Sequence, residues 1–232
     1  MRKRSLVSIL HQFFKELKIA KRKGKSVLIP FTYLSTYIIQ NRVKRDRFEL
    51  SSPWMTVPAV KFLEKKVKKE FRVFEYGSGA STFYFLNKNC ELHTVEHNRE
   101  WFNKMSNKLE DRVPFYNNLR LLEPVRRTNS NGIFSSKDPA YLECDYYLYC
   151  NGICKFKDGF FDLVVIDGRA RVECLKLALT KIRPGGYLLF DNADREEYGD
   201  ELIKLKDFLV LSDFTVTNFD LSFSQTNIYR LP

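Results

Sequence analysis

The run Val73-Phe74-Glu75-Tyr76-Gly77-Ser78-Gly79-Ala80-Ser81-Thr82 constrains this chain more than any other segment, because an apolar stretch ends in an acid and passes straight into a turn of small residues. A buried parallel strand that hands over to a nucleotide-binding loop has this form. Glycine carries no Cβ, so Gly77 and Gly79 let the backbone take tight dihedrals and approach a ligand, while amides at the next helix's N-terminus face it. A dinucleotide loop would place a third glycine at position 82, for close helix packing and pyrophosphate binding. Thr82 stands there instead. The loop therefore suits a cofactor without a pyrophosphate better than NAD or FAD, and it lacks the Gly-Lys-Ser/Thr ending that would point to ATP.

A second acid, Glu96 in Leu92-His93-Thr94-Val95-Glu96-His97, follows Glu75 by 21 positions and also closes an apolar run. An acid at that distance sits at the tip of the next strand, where its carboxylate can accept hydrogen bonds from ribose hydroxyls. Beyond it, helix and strand alternate. The pattern predicts helix 58–69, strand 71–76, helix 81–88, strand 91–96, helix 98–109, strand 118–122, strand 161–166, helix 171–181, strand 186–190 and helix 196–209, with residues 215–219 and 226–230 as a closing antiparallel pair. Such alternation argues for a parallel sheet with helices on both faces. The interval 124–160 breaks it with a long segment rich in tyrosine and phenylalanine, among them Tyr141, Tyr146, Tyr147, Tyr149, Phe156 and Phe160, and reads as an acceptor-binding insertion. The bland reading of those aromatics is a small satellite core.

Glu75-Tyr76-Gly77-Ser78-Gly79 resembles the first motif of the seven-stranded, Rossmann-like S-adenosylmethionine-dependent methyltransferases, and Glu96 resembles their ribose-binding acid. The likeness continues through Asp162-Leu-Val-Val-Ile-Asp167-Gly168 and Arg183-Pro184-Gly185-Gly186-Tyr-Leu-Leu-Phe-Asp191-Asn192, similar to the family's fourth and fifth strands, and covers about residues 52–232. Pro53-Trp54-Met55-Thr56, the turn Gly77-Ser78-Gly79-Ala80-Ser81-Thr82 and Val95-Glu96-His97 together resemble, less specifically, a bacterial branch often associated with surface-glycan and secondary-metabolite pathways. The resemblance implies a three-layer α/β fold of about seven mostly parallel strands, S-adenosylmethionine as cofactor, and a pocket from Glu75, Gly77, Ser78, Gly79, Ser81, Thr82, Glu96, His97 and Asp167. The acceptor it implies is a hydroxyl of a sugar, glycan or other small metabolite.

Methyl transfer from a sulfonium is an in-line displacement, so the enzyme chiefly holds the acceptor against the methyl carbon. A hydroxyl acceptor also loses a proton, to a base or through a metal. Asp167 ends the fourth strand and Asp191-Asn192 the fifth, so the three side chains should converge at the sheet's carboxyl edge. Two carboxylates and an amide oxygen suit Mg²⁺, an arrangement that resembles the metal-dependent, catechol-type O-methyltransferases. Arg169, Arg171 and Arg195 nearby offer the alternative: they replace the metal, with Asp167 as general base and Arg169 binding an acidic acceptor. For Asp191-Asn192 the plain reading is a turn or a helix cap.

Nearly all of the +11 net charge lies in residues 1–50, where thirteen Lys and Arg face only Glu16, Asp46 and Glu49. In that arm Leu6, Ile9, Leu10, Phe13, Phe14 and Leu17 recur at helical spacing among basic residues, the pattern of a basic amphipathic helix. Its apolar stripe can pack on the domain of residues 51–232, pack on a second subunit in a homodimer, or lie on an anionic membrane through residues 1–25. The apolar run 27–39 is too short to span a bilayer and is interrupted by Pro30. Cys90, Cys144, Cys150, Cys154 and Cys174 are odd in number, lack paired zinc-ligand spacing and follow no secretory-type signal, which points to a reducing cytoplasm. Two readings compete with a metabolite methyltransferase. One is a nucleic-acid methyltransferase or RNA-binding protein gripping phosphates with the arm, against which the near-neutral body counts. The other is a non-catalytic, membrane-associated adaptor of the same fold.

Overall fold

The computed structural model describes residues 4–42, 47–110, 118–126, 134–136 and 143–232. Within them, seven strands form one sheet in the order β3-β2-β1-β6-β7-β11-β8: Leu119–Leu121, Glu91–Glu96, Arg72–Tyr76, Phe161–Ile166, Ile182–Phe190, Asn227–Arg230 and Leu209–Leu211. The pairs β3-β2, β2-β1, β1-β6 and β6-β7 are parallel, whereas β11 runs antiparallel to β7 and β8. The chain leaves β1 toward β2 on one side and returns to β6 on the other. The strand order therefore reverses beside β1, and the crevice outside the carboxyl ends of β1 and β6 is the topological switch point.

Buried side chains on the two faces make two separate cores, because residues alternate along a strand. Phe74, Tyr76, Val164, Ile166, Leu188 and Phe190 pack under the helix Arg171–Ala178 and under Tyr146, Tyr149 and Ile153. Val73, Leu92, Leu163, Val165 and Leu189 pack under α4 (Val57–Lys66), α5 (Ala80–Asn87) and α6 (Arg99–Leu109). Several aromatics of the interval 124–160 serve the first core: Tyr146 and Tyr149 are fully buried, and Phe156 packs on Phe74, Phe160 and Phe161, whereas Tyr147 is exposed. Tyr141 lies outside the described residues.

The closing pair differs from the expectation. Residues 226–230 do supply the antiparallel strand β11, but its second partner is β8, in a segment predicted to end a helix. Residues 196–208 are helical as expected, though in three short consecutive segments, the 3-10 helices Glu196–Tyr198 and Ile203–Phe208 on either side of the α-helical turn Gly199–Leu202; the helix ends one residue early, and Leu209–Leu211 pairs as a strand. Phe214–Val216 (β9) pairs with Phe223–Gln225 (β10) in a two-stranded ribbon of its own. Strand β7 also begins earlier than predicted, at Ile182.

The arm packs on that ribbon. Helix α1 (Leu6–Arg22) starts at Ser5, whose hydroxyl accepts from the Ser8 amide, and buries Ile9, Phe13, Leu17 and Ala20 against Tyr37, Val57, Phe214, Val216 and Phe223. The Phe13 ring meets Phe31, Tyr37 and Phe223 edge-on at 5.2–5.4 Å. Glu16 is buried with a purpose: its carboxylate accepts from the Phe223 amide at 3.0 Å and from Gln12 at 2.7 Å. The predicted apolar face is therefore split, with Ile9, Phe13 and Leu17 inside and Leu6 and Phe14 on the surface. Among the described residues, no helix is long and apolar enough to cross a membrane.

Candidate active site

Strand register sets the site. Tyr76 is level with Val95 of β2 and with Ile166 of β6, and Ile166 is level with Phe190 of β7. The next residue on each strand, Glu96, Gly77, Asp167 and Asp191, therefore falls in one row along the carboxyl edge. A cavity of about 480 Å³ opens over this row, lined by Gly77 and Ser78 after β1, by residues from Glu96 to Lys104 after β2, and by Asp167, Gly168 and Arg169 after β6.

Glu96 organises the cavity wall. One carboxylate oxygen accepts from the Ser78 amide and hydroxyl, both at 2.9 Å, and the other from the amides of His97 at 2.8 Å and Asn98 at 2.9 Å, with His97 Nδ1 at 3.0 Å. Burial works against its ionisation, but the His97 contact and the Asn98 and Ser78 amides outweigh it and hold the carboxyl below its usual range. Asn98 caps α6 by accepting from the Trp101 amide at 2.8 Å, and the Trp101 indole donates to the Ser78 carbonyl at 2.7 Å. The β1 loop and the start of α6 are thus fastened together through Glu96 and Trp101. Asn98, Glu100, Trp101 and Lys104 line the cavity without having been singled out as site residues in the sequence. The cap residue Asn98, two positions after the acid, is the available signal, since it fixes where α6 points its first turn.

Four residues of the loop motif serve the scaffold rather than the cavity. Glu75 is fully buried behind the loop and accepts from Ser81, from Thr82 at 2.6 Å and from Thr94 at 3.0 Å, while Thr82 Oγ1 accepts from the Gly79 amide at 2.9 Å. Glu75, Gly79, Ser81 and Thr82 therefore shape the turn from inside, and the cavity is left to Gly77 and Ser78. Burial raises the Glu75 carboxyl to about 7, and hydrogen bonds from Ser81, Thr82 and Thr94 only partly oppose it. Between the ordinary value of 4.5 and about 7, the folded chain holds a proton that the unfolded chain has released. Stability from this group is thus complete below the ordinary value and declines as pH rises through that window, on the order of 3 kcal/mol in all. Asp191, raised to about 7 by burial and by the Asp167 charge, adds a decline of the same sign. The melting temperature is expected to fall between pH 5 and 7.5, less steeply in Glu75→Gln, which becomes the more stable protein at pH 8. Parallel melting curves for the two proteins would refute this role for Glu75.

Asp167 and Asp191 occupy neighbouring places in the row but do not form a common ligand set. The Arg171 guanidinium, itself buried, donates to Asp167 Oδ1 at 2.9 Å, to the Gly168 carbonyl at 2.9 Å and to the Asp191 carbonyl. Asp191 Oδ1 accepts from Thr226 at 2.6 Å, and Asn192 takes φ +50°, the left-handed turn conformation that asparagine tolerates, with its amide oxygen facing Arg195 at 3.3 Å. The expected Mg²⁺ site of Asp167, Asp191 and Asn192 does not fit this arrangement, because a fixed guanidinium already neutralises Asp167 and the other two side chains are tied elsewhere. Among the described residues no group of three or more His, Cys, Asp and Glu could hold a metal ion. Asp167 still keeps 30% of its side chain exposed and lines the cavity. Burial raises its carboxyl above the usual range against the pull of Arg171, Arg195 and Arg169.

A second cavity of about 370 Å³ adjoins the first across Gly168 and Arg169. Its polar wall includes Ser135, Ser136, Arg195 and Tyr198. The structure thus brings Gly77, Ser78, Glu96, His97, Asp167 and Arg169 to one cavity, and Arg169 to both.

The strand order with its single antiparallel strand is that of a Rossmann-like α/β fold. No protein-family model and no curated protein sequence matches the chain. The chain is similar to a solved structure of a protein from Corynebacterium glutamicum, at 13% identity over 87% of this chain and 97% of that one, with a TM-score of 0.51. It is also similar to a methyltransferase-like protein from Silicibacter pomeroyi, at 20% identity over 78% and 90% with a TM-score of 0.47. A SAM-dependent methyltransferase from Aquifex aeolicus matches at 14% identity over 82% and 100%, with a TM-score of 0.43. At these identities the likeness is one of fold.

Proposed function

We propose that the chain is an S-adenosylmethionine-dependent methyltransferase that O-methylates a small hydroxylated acceptor, a sugar or glycan hydroxyl being the acceptor class favoured. The observation that carries this reading is the cavity at the switch point, where the ionised Glu96 carboxylate and the Gly77-Ser78 loop share one wall. Glu96 would hold the ribose hydroxyls, and the Gly77-Ser78 loop, which lines the same cavity, would pack against the rest of the nucleoside side. All four lone-pair positions of Glu96 are engaged. A bound diol therefore displaces a partner, and the Ser78 hydroxyl, a free rotor, is the one that can turn away. When bound, the cofactor supplies an electrophilic methyl group on a sulfonium.

The protein's own part is orientation and proton handling. Asp167, which lines the cavity with a raised carboxyl and is held by Arg171, would take the proton of an acceptor hydroxyl. Arg169, which lines both cavities, would fix the acceptor beside the methyl group. A polar second cavity of this size suits one sugar ring. Calorimetry of the full chain with S-adenosylhomocysteine tests the reading. Saturable binding in the micromolar range, with no binding of NAD, is expected; no saturation at millimolar ligand, or equal binding of NAD, would overturn it.

A further inference from the structure

Burial of Ile9, Phe13 and Leu17 leaves a second apolar strip of α1 uncovered. Val7 and Phe14 lie seven residues apart, hence on one side of the helix, and are 78% and 52% exposed. The Phe14 ring meets that of Phe31 at 6.4 Å, and Leu28 and Phe31, in and beside the turn Ile29–Tyr33, are 74% and 43% exposed. Lys18 and Lys21 continue the strip one and two turns further along α1, and both are exposed. We propose that this strip is a docking surface for an anionic lipid bilayer: Val7, Phe14, Leu28 and Phe31 enter the headgroup layer while Lys18 and Lys21 meet lipid phosphates. The proposal stands apart from the methyl-transfer reading and does not rest on it.

Charge selects this occupant. The first 50 residues carry nearly all of the net charge of +11, so a second copy seated on the strip would set lysines against lysines. A nucleic acid would satisfy the lysines but leave four large apolar side chains without cover. A bilayer bearing anionic lipid accepts both, with the apolar groups at the acyl boundary and the ammonium groups in the negative surface potential. The strip is also presented ready-formed, because the opposite side of α1 is locked on the β9-β10 ribbon by Phe13 and by the Glu16 bond to the Phe223 amide. Docking therefore needs no helix to fold at the surface.

Sedimentation of the full chain with vesicles tests it, using phosphatidylcholine alone and phosphatidylcholine mixed with phosphatidylglycerol. Binding to the mixed vesicles only is expected, weakened by added salt. It should fall by about tenfold or more in Phe14→Ser with Phe31→Ser, and likewise in Lys18→Glu with Lys21→Glu. All four positions are exposed, so unchanged melting temperatures separate lost docking from lost folding. Failure to bind the mixed vesicles, equal binding to phosphatidylcholine alone, or full binding by the double serine variant would overturn the proposal. So would a concentration-dependent doubling of mass in light scattering that the serine variant abolishes, which assigns the strip to a second copy. Retention on RNA that follows the lysines and ignores the phenylalanines would assign it to nucleic acid and equally overturn it.

Discussion

Replacing Gly77 by alanine is expected to lower the melting temperature by on the order of 10 °C and to abolish the S-adenosylhomocysteine binding that the proposed function calls for. Gly77 has φ +90°, a conformation L side chains rarely adopt. A Cβ there would stand far inside van der Waals contact with the Asp167 carbonyl oxygen, 3.0 Å from the Asp167 carbonyl carbon and 3.2 Å from Gly168 Cα. Those atoms are backbone, held by the Asp167 amide bond to the Tyr76 carbonyl at 3.1 Å, and they cannot swing aside as a side chain would. Relief requires the β1 and β6 loops to part, which costs strain and overpacking of about 2–5 kcal/mol together. Both loops line the cavity, so the site and the stability should fail together. Thermal melting and calorimetry check both; a variant that melts and binds like the parent would show that the loops are not in contact as described.

Glu96→Ala should weaken S-adenosylhomocysteine binding by about 100-fold or more while leaving the fold largely intact. The carboxylate is the cavity's strongest acceptor, kept ionised by His97 and by the Asn98 and Ser78 amides, and hydrogen bonds to charged groups are worth about 1.5–3 kcal/mol each. The amides it releases line an open cavity and can turn to water, which limits the loss of stability. Calorimetry against the parent protein gives the ratio, and melting gives the control. An affinity within threefold of the parent, roughly 0.6 kcal/mol, would remove Glu96 from the ribose site.

Much of this frame was legible in the residues themselves. Apolar runs closed by an acid mark strand ends, so β1, β2 and β6 and the row of Gly77, Glu96 and Asp167 follow from spacing and from the rule that parallel strands deliver ligands to one edge. What spacing does not encode is direction. Glu75 and Glu96 look alike in sequence, yet the first is drawn backward by three hydroxyls and the second faces the cavity. Asp191 belongs to the expected row, but Thr226, just before β11, turns its carboxylate away. Arg171 was visible as one of several nearby cations; its burial against two carbonyls and Asp167, which makes it structural, depends on the left-handed turn at Ala170. The β8 strand was missed because Leu209-Val210-Leu211 directly follows a segment with helical spacing, and only its pairing with β11 defines it.

The seam between α1 and the β9-β10 ribbon ties the order of synthesis to the order of folding. Glu16 and the Phe223 amide that it accepts are 207 residues apart. At about 5–20 residues per second, roughly 10–40 s separate the emergence of one from that of the other. Throughout that interval Ile9, Phe13 and Leu17 have no ribbon to cover them. The apolar face of α1 is therefore synthesised long before its cover, and productive folding depends on shielding that face from other partners until β9 and β10 have been made.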